Sequence, residues 1–242
     1  MVNTAPAPDS LSERLVAVQR RIEVAALVCG RASEKIRLVG ITKTHPVATI
    51  VSGLTLGLQD LGENKVQEAE PKILAIERVG VRWHLVGHLQ ANKARRAVKL
   101  FDMIHSLDSV SLAQRLDRLC VEEGRSELPV LIQVNLAAEV TKSGISESEL
   151  PRLLTTLKQC HRLSLKGLMT LPPFSADPEE ARPFFRRLRE LRDELEPRGA
   201  FSDSPGELSM GMTNDFEVAI AEGATILRIG TAIFGERNSV SA

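Results

Sequence analysis

The chain has 242 residues, and its 31 Lys+Arg balance 31 Asp+Glu, so the formal net charge is zero. That excludes a nucleic-acid binder relying on overall basicity, because phosphate neutralisation needs a positive excess. It contains no tyrosine, which excludes any mechanism needing a phenolic acid or base from this polypeptide. The length suits one α/β barrel or two small domains, with ample apolar content for a large core.

Cys29, Cys120 and Cys160 are widely separated, without metal-ligand spacing, and each falls near a predicted helix end. They are expected to be free, buried or half-buried thiols in a reducing compartment. Met1 to Pro8 is polar and has no apolar signal core, and no apolar run reaches membrane-spanning length. A cytoplasmic protein with no membrane partner is the expectation.

The elements alternate along the chain. Ser10-Leu11-Ser12-Glu13 reads as a capping box opening a helix that ends at Gly30. An apolar run from Ile36 forms a strand that stops at Lys43, and Pro46 opens a helix to about Gly57. Leu58 to Leu61 is a short strand, followed by Gly62-Glu63-Asn64 and a helix through about Arg78. Val81 to Val86 is a strand closed by Gly87-His88, with a helix from Asn92 to Leu100 after it. Met103 to Leu107 is a strand, and Asp108 or Ser109 caps a helix ending near Gly124. Pro129 to Asn135 is a β-branched strand. Ser146-Glu147-Ser148-Glu149 reads as a second capping box, with Pro151 in the first turns of its helix. Leu163 to Met169 is a strand. The charged helix from Pro178 to Glu196 has Pro183 at its true start or at a kink. Leu208 to Met212 and Ala224 to Ile229 are the last strands, separated by a helix from about Asn214 to Glu222.

Eight βα units at this length predict an α/β fold: a (β/α)8 TIM barrel, single domain, with an extra N-terminal helix. The competing doubly wound open sheet would carry Gly-x-Gly-x-x-Gly after its first strand, and this chain has none. The expected organisation is a flexible N-terminus over 1–9, a barrel over 10–237 and a tail over 238–242. The basic clusters Lys93-Ala94-Arg95-Arg96 and Arg186-Arg187-Leu188-Arg189 fall on helices and read as solvated faces rather than a nucleic-acid footprint.

A barrel places its active site at the carboxyl ends of its strands. Lys43 lies there. It is either a solvated surface charge or a desolvated amine whose lowered pKa suits attack on an aldehyde. Asn64, His84, Lys142-Ser143-Gly144 and Met169-Thr170 fall at comparable positions. The turn Ser209-Met210-Gly211-Met212-Thr213-Asn214-Asp215 and the strand end Arg228-Ile229-Gly230-Thr231 could build a phosphate site, with hydroxyls of Ser209 and Thr231 as donors; small turn residues are the alternative. Arg228 is embedded among apolar neighbours, so its guanidinium must find either a structural carboxylate or a ligand. His84 and His88 suit core histidines as well as functional ones. No metal site, Walker loop or Gly-x-Ser-x-Gly elbow occurs.

Seven segments together resemble one family, in the expected order from about Leu38 to Arg237. They are Ile41 to Thr44, Gly62 to Glu68, Trp83 to Lys93, Lys142 to Gly144, Lys166 to Met169, Leu208 to Met212 and Arg228 to Gly235. The family is that of the pyridoxal phosphate homeostasis proteins, similar in fold to the N-terminal barrel of alanine racemase. The resemblance implies pyridoxal 5′-phosphate held as a Schiff base (a covalent imine) on Lys43. Ser209, Gly230 and Thr231 would hold the phosphate, Arg228 would face the pyridine nitrogen, and Asn64 would lie near the ring. Leu61 replaces an aromatic usual before Gly-Glu-Asn, and His45 stands where a lysine or other polar residue is common.

The implied role is intracellular homeostasis of pyridoxal phosphate (vitamin B6) and of amino and keto acids, without robust catalysis. A permanently protonated arginine at the ring nitrogen weakens the ring as an electron sink. The opposing base of the racemase is a tyrosine from a second domain; this chain has no tyrosine, and no such domain is expected in it. The alternatives are a weak amino-acid racemase or decarboxylase, and a barrel enzyme for a phosphorylated metabolite. Apoenzymes that use pyridoxal phosphate are the expected recipients, and a monomer is the expected state. His45, His84 and Lys142 are left without an assigned role near the site.

Overall fold

The computed structural model describes residues 10–76, 80–137, 143–203 and 205–236. The segments 1–9 and 238–242, together with Arg78, Lys142 and Arg237, lie outside the described residues.

Eight parallel strands close into a barrel in sequence order, each hydrogen-bonded to the next and β8 to β1. They are β1 (Arg37–Ile41), β2 (Asp60–Glu63), β3 (Arg82–Leu85), β4 (Met103–Leu107), β5 (Leu128–Gln133), β6 (Leu163–Met169), β7 (Glu207–Ser209) and β8 (Ile226–Ile229). The surrounding helices are α1 (Leu11–Val28), α2 (Val47–Thr55), α3 (Val66–Ala75), α4 (Ala94–Leu100), α5 (Val110–Glu122), α6 (Leu150–Leu157), α7 (Arg182–Leu195), α8 (Phe216–Ala221) and α9 (Thr231–Phe234). The barrel predicted from the alternation is the barrel observed.

Strand alternation divides the core in two. Outward residues such as Leu61, Trp83, Leu85, Ile104 and Leu208 pack under the helices in one large cluster. Inward residues form a smaller cluster of Val39, Ile41, Val86, Met103, Leu131, Met169 and Ile226. The rest of the buried interior is polar, and that polar remainder positions the site.

The α1 capping box forms as read: the Glu13 amide donates to Ser10 Oγ at 3.2 Å, and the Ser10 amide to Glu13 Oε2 at 3.0 Å. The second box does not. The Ser146 hydroxyl instead donates to the Glu149 carboxylate at 2.7 Å, ahead of a single 3-10 turn over Glu147–Glu149 that feeds α6. Pro183 lies in the first turn of α7, after another 3-10 turn over Pro178–Ala181, so it marks a start and not a kink.

β2 runs later than its pattern suggested, because Gly62 and Glu63 pair with His84 and Leu85 of β3 instead of turning. β7 is shorter than expected and ends at Ser209, leaving Met210–Met212 outside the strand. Cys120 and Cys160 are buried and free, while Cys29, at the exposed end of α1, is free but not buried. The two basic clusters are ion-paired faces: Arg95 bonds Glu122 and Glu123 across α4 and α5, and Arg187 bonds Glu147 and Glu194. Among the described residues no helix is long and apolar enough to cross a membrane.

Candidate functional site

At the carboxyl ends of the strands a cavity of about 410 Å³ opens beside β1 and β8. Its wall includes Lys43 and Ile41 from β1 and its turn, and Arg228, Gly230 and Thr231 from β8 and the start of α9. Met212, Thr213 and Asp215 after β7, and the segment around Phe174 after β6, also line it. A larger groove of about 540 Å³ runs between α6 and α7, and none of the sequence-predicted site residues reaches it.

The turn carrying Lys43 is held from below by a buried charge cluster. Lys72 of α3 donates from Nζ to the Thr42 carbonyl at 2.8 Å, to Glu63 Oε1 at 2.7 Å and to Glu68 Oε1 at 2.9 Å. The Thr42 hydroxyl also donates to Glu63 Oε1, at 2.6 Å. The Thr44 amide donates to Glu68 Oε1, so one carboxylate ties the turn to α3. Thr44 has φ +67°, a left-handed conformation costly for a β-branched residue, and its hydroxyl donates to the Lys43 carbonyl at 2.6 Å. Glu63 is fully buried, and burial pushes its carboxyl above the ordinary range despite the bonds from Lys72 and Thr42. Its second oxygen has no partner among the described residues.

Arg228 lies opposite in character. Only 3 % exposed, it donates from Nη1 to Ser209 Oγ at 2.6 Å and from Nη2 to the Thr170 carbonyl at 2.9 Å. Among the described residues no carboxylate lies within ion-pair distance of it. Burial pulls its guanidinium down to about 10, opposed by the charge of Asp215, so it stays protonated at neutral pH. The structural carboxylate allowed for Arg228 is therefore not what holds it. A buried cation bonded only to neutral acceptors, with further donors in a cavity wall, suits an anionic or lone-pair ligand.

Ser209 is not brought to the cavity wall. It is fully buried in the barrel interior, where its hydroxyl bonds Arg228 and lies 2.9 Å from His105 Nδ1. The expectation that it holds a phosphate meets this geometry: β7 ends at Ser209 with its side chain turned inward, toward β8 and β4. The hydroxyl of this turn that does line the cavity is that of Thr213, four residues on, whose Oγ1 accepts from the Ala232 amide at 3.4 Å. The glycine turn was visible in the sequence, but which of its hydroxyls clears the strand was not.

Gly230 fits a ligand-facing position, since a Cβ there would sit 3.3 Å from the Ile41 side chain in a cavity wall. Asn64 follows β2 and is half-buried outside the cavity wall. Its backbone packs against Gly87 so closely that a Cβ at Gly87 would lie 2.3 Å from the Asn64 carbonyl. His84 is interior, 2.8 Å from Asp60 and 2.9 Å from His105. His45 stacks near Phe234 with ring centroids 5.2 Å apart, and His88 is exposed against Asp108. The Ser143 carbonyl accepts from Gln133 Nε2 at 2.8 Å, beside Gly144. Among the described residues no group of His, Cys, Asp and Glu could hold a metal ion.

A barrel with a lysine and a buried arginine at one cavity defines a class, and comparison with known proteins gives it. Residues 14–238 match the family model described as the alanine racemase N-terminal domain. A pyridoxal phosphate homeostasis protein of Aquifex aeolicus is 42% identical over 225 residues, covering 93% of this chain and 97% of that one. One from Escherichia coli K12 is 38% identical, covering 95% and 98%. Among solved structures, PipY of Synechococcus elongatus superposes with a TM-score of 0.83 without PLP and 0.80 with PLP bound, at 36% and 35% identity. Each covers 93% of this chain and 100% of that one. Alanine racemase of Clostridium difficile shares the fold at a TM-score of 0.70 and 16% identity. The chain belongs to the pyridoxal phosphate homeostasis protein family, on the alanine racemase N-terminal barrel.

Proposed function

We propose that this chain binds pyridoxal 5′-phosphate, with the Lys43 amine as its Schiff-base tether, and serves intracellular homeostasis of the cofactor and of amino and keto acids. The observation that carries this is the presence of Lys43 and Arg228 in the wall of one cavity, the arginine buried with no carboxylate in ion-pair distance among the described residues. When bound, the cofactor supplies an aldehyde that amines capture reversibly and a ring able to draw electrons. The residues present fit it. Gly230 and Thr231, joined by Thr213, are the groups for the phosphate, and Arg228 is the donor for the ring nitrogen. Asn64, which the resemblance puts near the ring, lies outside the cavity wall, with its backbone packed against Gly87.

The same residues support a carrier without robust catalysis. A guanidinium donates and cannot accept, so Arg228 keeps a ring nitrogen unprotonated and limits carbanion stabilisation. With no tyrosine in the chain, no phenol can act as a second base. Recipients are then apoenzymes that use the same cofactor.

The test is incubation with pyridoxal phosphate, borohydride reduction and peptide mapping. The expected label is on Lys43 alone; label elsewhere overturns the assignment. A screen of amino acids for turnover completes it, and robust Lys43-dependent turnover would sink the carrier reading in favour of a racemase or decarboxylase.

A further inference from the structure

A single file of buried polar groups crosses the barrel interior from its amino-terminal mouth to Arg228. Arg82, half-exposed at the start of β3, bonds the Asp60 carboxylate bidentately, at 2.7 and 2.6 Å. Asp60 Oδ1 lies 2.8 Å from His84 Nε2, His84 Nδ1 lies 2.9 Å from His105 Nε2, and His105 Nδ1 lies 2.9 Å from Ser209 Oγ. Arg228 Nη1 then donates to Ser209 Oγ at 2.6 Å. Five strands contribute, and every member from Asp60 to Arg228 is buried.

With one proton on each imidazole, the two ends fix the polarity. An ionised carboxylate can only accept and a guanidinium can only donate. Burial above all, with the Arg228 charge adding to it, holds His105 well below the ordinary imidazole value and therefore neutral. One arrangement satisfies every atom. Arg228 donates to Ser209, the Ser209 hydroxyl to His105 Nδ1, His105 Nε2–H to His84 Nδ1, and His84 Nε2–H to Asp60. The file thus runs from the Arg228 charge to the Asp60 charge without a break.

We infer that the line Asp60–His84–His105–Ser209 is a positioning relay that holds the Arg228 guanidinium in one orientation toward the cavity, with His105 and Ser209 as its decisive members. Two of its N–H donors are fixed, on Ser209 and on the Thr170 carbonyl, so the remaining donors keep a constant direction. A direct carboxylate partner would hold the guanidinium more strongly but neutralise it. The relay steers it through a neutral hydroxyl, leaving the charge available to a ligand. The inference rests on the cofactor reading above for the identity of that ligand, but not for the relay itself.

The test has two arms. Nitrogen-15 NMR of the imidazoles in the ligand-free protein reads the tautomers directly; both histidines are expected as Nε2–H forms. A proton on Nδ1 of His105 overturns the relay whatever the cavity binds. In the second arm the pyridoxal phosphate dissociation constant and the absorption maximum of the bound cofactor are compared for His105→Leu, His105→Asn and Ser209→Ala, with Lys43 labelling by borohydride as a control. His105→Leu and Ser209→Ala should each weaken binding about tenfold and shift the maximum, as for one lost charge-assisted bond. The double variant should be no worse than either single one. His105→Asn, whose Oδ1 replaces Nδ1 as acceptor, should recover most of the affinity. Folded single variants with wild-type affinity and spectrum overturn the relay. Failure of the wild-type protein to label at Lys43 overturns the cofactor reading and leaves the tautomer arm to decide the relay.

Discussion

Lys72 and Arg228 are both buried cations close to the cavity, yet the barrel treats them differently. Lys72 is surrounded by two carboxylates and a carbonyl, and its charge is spent on holding the Lys43 turn. Arg228 touches a hydroxyl and a carbonyl and shares a cavity wall. The contrast separates a cation placed for structure from one placed for a ligand: local neutralisation marks the first, and its absence beside a cavity marks the second.

The most demanding test of that contrast is Lys72→Met. It strands the buried Glu63 carboxyl, so a loss of about 3–5 kcal/mol is expected, seen as a melting temperature lower by roughly 10 °C. Adding Glu63→Leu should restore much of it. A Lys72→Met protein as stable as the wild type would remove the structural half of the comparison.

Arg228→Met should behave in the reverse way. It leaves two neutral acceptors and breaks no ion pair among the described residues, with Asp215 losing only a longer-range charge, so denaturant titration should show a loss below about 2 kcal/mol. Binding of pyridoxal phosphate, followed by absorbance, should weaken about a hundredfold, as for a charged hydrogen bond lost inside a cavity. Large destabilisation with intact binding would mean that Arg228 is the structural cation after all.

The relay predicts a pH signature opposite in sign to that of the raised Glu63 carboxyl in the Lys72 cluster. Burial keeps His105 unprotonated in the fold, while the unfolded chain takes up a proton near the ordinary imidazole value of 6.5. Acid therefore favours the unfolded state. The His105 contribution to stability is complete above that value and declines below it by about 1.4 kcal/mol per pH unit. Chemical denaturation at pH 7.5 and 5.5 should show this slope in the wild type and a shallower one in His105→Leu. Asp60, held below the usual carboxylate range by Arg82 and His84 against its burial, adds its own loss only at more acid pH.

The smallest effect belongs to the Lys43 turn. Thr44→Asn replaces a β-branched residue at φ +67° with one that tolerates it, and should raise stability by about 0.5–1 kcal/mol in urea midpoints. A loss instead would show that the Thr44 hydroxyl bond to the Lys43 carbonyl outweighs the strain.

Much of the candidate site was legible at the ends of the strands. Lys43, Gly230 and Thr231 follow apolar runs directly, and short-range pattern places such residues at the carboxyl face of a barrel. Arg228 stood out because its strand is otherwise apolar. Ser209 and Asn64 were harder, since both depend on where a strand stops. The Ser209 hydroxyl bonds inside the barrel to His105 and Arg228, and Asn64, just after β2, lies outside the cavity wall with its backbone against Gly87.

The sequence alone determined the barrel, because eight alternations of strand and helix pattern leave few other ways to bury both faces of a parallel sheet. It also determined the lysine and the small residues beside it. Only the tertiary structure decided the partners of the buried cations. His105 and Ser209 are 104 residues apart, and barrel closure alone brings them into contact. Inward side chains of separate strands meet in a shared interior, and no local pattern records which will meet.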